Sequence, residues 1–150
     1  MKPIITFILC SYCTFGFAQI VDKSLIEGQF VLEKIEISQQ FDSNAVWIST
    51  PIWSVVTNNT FSDTLTTVAK NDSLHISRSL DWGIGVHQKF ALFGVLSGNQ
   101  VIVARGFIFS PSTLLFIENV SDSQFVLIER YKMRQVRRTF RRLKPSILRG

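Results

Sequence analysis

QKFALFGVLSGNQVIVARGFIFSPSTLLFIENVSDSQFVLIERY, residues 88–131, holds four apolar runs separated by turn chemistry. Lys89 to Leu96 reads as a strand, and Ser97-Gly98-Asn99-Gln100 supplies Gly-Asn, a hairpin signal. Val101 to Phe109 returns, and Ser110-Pro111-Ser112 stops it. Thr113 to Glu118 runs on, and Asn119-Val120-Ser121-Asp122-Ser123 turns into Phe125 to Tyr131. Successive strands joined by short turns make an antiparallel meander. Upstream, Gly28 to Ile37 opens on an apolar run and then alternates, with Ile35 and Ile37 opposed by Lys34 and Glu36. Ala45 to Ile48, Ile52 to Val56, Phe61 to Val68 and Leu74 to Ser77 are further strand candidates, and Pro51 separates the first two. Eight or nine strands are expected, with no long helix before residue 132. The fold class is therefore all-β. Sequential strands with tight connections favour a closed up-and-down barrel, and a β-sandwich is the alternative.

The chain of 150 residues is 46% hydrophobic and 18% charged, which excludes a disordered segment and a coiled coil. Met1-Lys2, the apolar stretch Pro3 to Phe17 and the small residues Gly16 and Ala18 form a secretory signal pattern over residues 1–18. Cleavage is expected between Ala18 and Gln19, leaving residues 19–150 as a single exported domain, periplasmic or secreted. Both cysteines, Cys10 and Cys13, fall inside the leader. The mature domain then has no disulfide, no thiol nucleophile and no cysteine zinc site, so buried apolar surface must hold it together. No mature segment approaches the roughly 20 apolar residues of a membrane-spanning helix.

The charge is lopsided. Residues 19–131 carry seven Lys/Arg against eleven Asp/Glu, whereas residues 132–150 carry eight Lys/Arg and no acid. Met133, Val136, Phe140, Leu143 and Ile147 are spaced like a helical apolar stripe, which would make the segment a basic amphipathic helix. Pro145 and the β-formers Val136, Thr139 and Phe140 instead favour a strand. In a strand, Val136, Arg138, Phe140 and Arg142 share one face.

The layout resembles the small lipocalin-like domains of exported bacterial proteins. Gly28-Gln29-Phe30 opens the first strand, antiparallel strands follow, and Phe125–Tyr131 with Val136–Leu143 form the terminal pair. Lipocalins usually open with Gly-x-Trp, and here Phe30 stands where the Trp would be. The resemblance covers most of residues 25–144 as a layout and implies a closed barrel whose apolar interior holds one small ligand. Arg138-Thr139-Phe140 is also similar to the Arg-x-Tyr of the intracellular fatty-acid-binding barrels, with an aromatic but no phenol. That resemblance implies an inward Arg138 meeting a ligand carboxylate. The alternative leaves the arginines of this strand in water, where charged residues are usually found.

His75 and His87 are the only histidines, and neither belongs to a metal or nucleophile motif. His75 alternates against Leu74 and Ile76 and is expected to face solvent. Nothing calls for a cofactor or metal, and the chain reads as non-enzymatic. The expected function is an exported lipocalin-like protein binding a small hydrophobic or amphipathic anionic ligand. Trp47, Trp53, Trp82, Phe107, Phe109, Phe116 and Phe140 are candidate wall or core aromatics, with Arg138 as the anion contact. The alternative is an interaction protein whose basic C-terminal segment docks on an anionic envelope surface or acidic partner. Nucleic acid is not an expected partner, because Tyr131 and Phe140 are too few for a stacking platform.

Overall fold

The computed structural model describes residues 21–50, 62–83, 85–111 and 114–144. The leader with its two cysteines, the strand candidate at residues 52–56, Trp53, and Pro145 with Ile147 lie outside the described residues.

A short helix α1 (Lys23–Ile26) precedes nine strands: β1 (Gly28–Ser38), β2 (Ile48–Thr50), β3 (Ser62–Lys70), β4 (Ser73–Asp81), β5 (His87–Ser97), β6 (Gln100–Phe107), β7 (Leu114–Val120), β8 (Gln124–Arg130) and β9 (Gln135–Arg142). All pairings are antiparallel. Eight strands form the ring β1-β3-β4-β5-β6-β7-β8-β9, and β1 pairs with β9 to close it. The other edge of β1 is shared: Gly28–Val31 pair with β3, and Ile35–Ile37 pair with the outlying β2. The expected closed barrel is observed, and residues 135–142 form its last strand rather than a helix.

Two expected strands are displaced, each because a side chain competes for the backbone. Ala45 to Ile48 is not a strand, since β2 starts only at Ile48. The Asn44 amide donates to Asp42 Oδ1 at 3.0 Å and the Val46 amide to Gln40 Oε1 at 3.0 Å, so these groups satisfy themselves locally. The run expected to reach Phe109 ends at Phe107, because the Ile108 carbonyl accepts from Arg78 Nη1 at 2.9 Å instead of joining a ladder.

The two ends of the barrel differ. At one end the connections are tight, namely 71–72, 98–99 and 121–123. There α1 presses Ile26 into the lumen, and Thr67 Oγ1 donates to the Ile26 carbonyl. Arg142 completes the seal. Its guanidinium lies 4.6 Å above the Phe30 ring and donates to the Leu25 and Glu27 carbonyls. Gly28 is required beneath it: at φ +151 a Cβ would lie 2.4 Å from Arg142 Nη1. Above this floor, Phe30, Leu65, Leu74, Ile76, Leu115, Ile117, Phe125, Leu127 and Phe140 fill the interior at 0–2% exposure. Each such burial is worth about 1.5–3 kcal/mol. The longer connections gather at the opposite end, which forms the mouth.

Candidate ligand-binding site

β9 positions the site by strand parity. Gln135 to Arg142 alternates so that Val136, Arg138, Phe140 and Arg142 point inward while Arg137 and Arg141 point outward. Arg138 is therefore in the lumen, with a side chain only 15% exposed, and its Nη1 donates to Glu129 on β8. Of the two readings, Arg138 follows the inward one implied by the resemblance, against the general expectation that the strand's arginines face water, while Arg141 lies exposed on the outer side. An acid on the neighbouring strand makes that burial tolerable.

A second ion pair stands on the other side of the lumen. Arg78 of β4 grips Asp63 of β3 in a fork, Nε to Oδ1 at 2.8 Å and Nη2 to Oδ2 at 2.7 Å, and its third donor takes the Ile108 carbonyl. Arg78 thus spends three of its five N–H donors, one from each nitrogen. Arg138 spends only one, on Glu129, and no other hydrogen bond from it is found among the described residues. Burial, and then the positive charge of Arg78, bring the Arg138 guanidinium down to about 9, with Asp63 opposing.

Phe109 links the two pairs. It lies beyond the end of β6, and its ring sits 4.0 Å from Arg138 Cζ, 4.7 Å from Arg78 Cζ and 6.4 Å from the Phe140 ring. Phe90 lies 5.9 Å from Arg78 Cζ and 5.9 Å from the Phe107 ring. The barrel wall is slit beside this layer, because β6 pairs with β7 only through Gln100 and Val101. A void of about 20 Å³ lies at the slit, lined by Leu92, Val103, Gly106, Phe109, Leu115 and Glu129. Glu129 is 1% exposed, and its Oε1 is buried with no hydrogen-bond partner. The void has room for about one water.

The expected aromatic wall divides. Phe140 is fully buried beneath Phe109. Phe107 is 40% exposed at the rim of the slit. Trp82 lies in the β4–β5 connection at the mouth. Trp47 is not in the lumen: its ring lies 3.9 Å from Arg137 Cζ, on the outer side of β9, where the local hydrogen bonds of residues 40–46 deliver it. Phe116 also faces outward, 4.7 Å beneath Arg130. His75 faces outward as expected and stacks on Phe93 at 4.2 Å.

Asp63, Arg78 and Glu129 were missing from the sequence-based site. Their signal is parity: Asp63 is in phase with Leu65, Arg78 with Leu74 and Ile76, and Glu129 with Phe125 and Leu127.

The basic segment is built into the wall. Arg137 pairs with Glu118 at 2.8 Å and Glu36 at 3.6 Å, and Arg141 lies 3.8 Å from Glu33. Together with Arg138 and Arg142, half of the eight cations in residues 132–150 are occupied within the barrel. Among the described residues there is no group of three or more His, Cys, Asp or Glu able to hold a metal, and no helix long and apolar enough to cross a membrane. No family model and no curated protein matches the chain.

Proposed function

We propose that this barrel is an exported, non-enzymatic, lipocalin-like binding protein that takes one small amphipathic anion at its mouth-side layer. Arg138 is the anion contact, and Phe140 forms the apolar contact. The observation that carries the reading is an inward, largely desolvated guanidinium that makes a single hydrogen bond among the described residues. Arg78, by contrast, is held on all sides and serves as scaffold. The apolar floor excludes water, which strengthens any charge-assisted bond made above it. The leader-like residues 1–18 support placement beyond the cytoplasm.

Isothermal titration with dodecanoate and with the uncharged dodecanol tests this. Dodecanoate is expected to bind at one site, and R138Q to weaken it by about 10- to 100-fold, the equivalent of a charge-assisted hydrogen bond of about 1.5–3 kcal/mol. The double variant E129Q/R138Q, which strands no carboxylate, should behave alike, while dodecanol should not respond to either change. Burial lowers the Arg138 guanidinium to about 9, so dodecanoate affinity should hold near neutral pH and decline as the pH rises through about 9. Absence of saturable heat with both probes removes the reading.

A second reading, docking on an anionic surface, draws on Arg130, Lys132 and Arg134 around the β8–β9 connection. None of the three meets a carboxylate among the described residues, and Met133 between them is 80% exposed.

A further inference from the structure

We infer that the ring of Phe109 occupies the place of the ligand's own ring, so that the layer between Arg78 and Arg138 is built for a planar aromatic carboxylate rather than a straight-chain fatty acid. This rests on the anion-binding reading above and specifies its ligand class. Three observations converge on it.

The first is the shape of the space. Phe109 belongs to no strand, yet its ring is held by two guanidiniums, at 4.0 and 4.7 Å, and lies nearly parallel to Phe140 at an interplanar angle of 29°. Cations over an aromatic face recognise its quadrupole, which an alkyl chain lacks. The walls therefore select for a flat π-surface, not merely for apolar volume.

The second is that the walls are supported without Phe109. Arg78 is fixed by its fork on Asp63, Arg138 by Glu129, and Phe140 by the core below. Withdrawing Phe109 breaks no hydrogen bond of its own side chain. A ligand ring entering there meets a seat already assembled, which keeps the ordering cost of binding low.

The third is charge. The two arginines and two acids of the layer cancel, so a neutral ring such as Phe109 is accommodated when no ligand is present. A carboxylate attached to an incoming ring reaches the Arg138 donors that meet no partner among the described residues, an interaction Phe109 cannot make. That difference is what would let the ligand displace the resident side chain.

The test titrates 2-naphthoate and dodecanoate into the wild-type protein, F109A and F109L, with circular dichroism confirming that each is folded. Vacating the seat should raise 2-naphthoate affinity by about tenfold or more in F109A, while dodecanoate changes by less than about threefold. F109L keeps bulk but lacks the π-face that the arginines hold, so 2-naphthoate should still gain by about threefold if F109A fails to fold. Equal gains for the two acids, or no gain for 2-naphthoate in a folded variant, overturn the inference. If dodecanoate binds through Arg138 while 2-naphthoate gains nothing, this inference alone falls. If neither acid binds any of the three proteins, the anion-binding reading falls with it.

Discussion

Glu129 is the residue whose chemistry is least explained by stability. It is 1% exposed, one oxygen meets Arg138, and the other meets nothing. Buried ion pairs rarely out-perform apolar side chains of equal volume, since desolvation offsets their attraction, but breaking one strands a charge. E129A should therefore lower unfolding free energy by about 3–5 kcal/mol, whereas the double replacement E129L/R138M should be neutral or stabilising by about 1–4 kcal/mol. Urea denaturation followed by circular dichroism measures both. A double variant as unstable as E129A would mean that the pair is structural and has no need of a ligand. An outcome as expected would mean that the pair persists at a cost, which is the signature of a binding residue. That Arg138 shares a face with Val136 and Phe140 was legible from alternation, but whether that arginine met water or the lumen was not, since charged side chains are usually solvated. Nor was its partner, because a single acid at the end of an apolar run looks the same whether it enters water or the lumen.

At the level of the element, β6 governs access to the site. It leaves β7 after Val101, and its far half runs against β5 alone. A bulge at Phe93/Gly94 shifts the β5–β6 register, and Gly106 then presses against the backbone of Ala91. A Cβ at Gly106 would lie 2.2 Å from the Ala91 carbonyl oxygen, at a φ of +80 that other residues avoid. G106A should therefore push β6 off β5 and destabilise the protein by about 2 kcal/mol or more. Amide hydrogen exchange should accelerate along residues 100–107 before it does so along β8. Unchanged stability and exchange would show that the backbone has room to give, and the slit would then owe nothing to this contact. The strands themselves were readable from turn signals and alternation, but the slit was not. Where two strands diverge depends on bulges, and bulges at Leu32/Lys34 and Ile117/Asn119 interrupt runs that look continuous in sequence. The Trp47 segment misled for a related reason: β-forming residues lost their ladder to side-chain acceptors two and six residues away.

Across the whole molecule, each ring strand from β3 to β9 pairs with its sequence neighbour, β1 passes over β2 to reach β3, and the longest-range contact joins β1 to β9, about a hundred residues apart. That closure removes the two edges that an open eight-stranded sheet would expose. It also carries Arg138 into the lumen and Arg142 over Phe30, so the site and the floor seal depend on the same strand. Two periodicities coexist in residues 133–147, and the strand is realised because β1 and β8 each offer it a full antiparallel edge. The basic character of the segment follows from the same geometry. Its outward arginines face Glu33, Glu36 and Glu118 on β1 and β7, and its inward ones face Glu129 and the carbonyls of the floor. Deleting residues 132–150 should therefore abolish the cooperative unfolding transition, leaving unpaired edges on β1 and β8 and stranding Glu129. Thermal melts by circular dichroism, with light scattering to register edge-to-edge association, provide the measurement. A truncated protein that still melted cooperatively at low scattering would mean that the basic segment is a removable arm and that the barrel does not depend on it for closure.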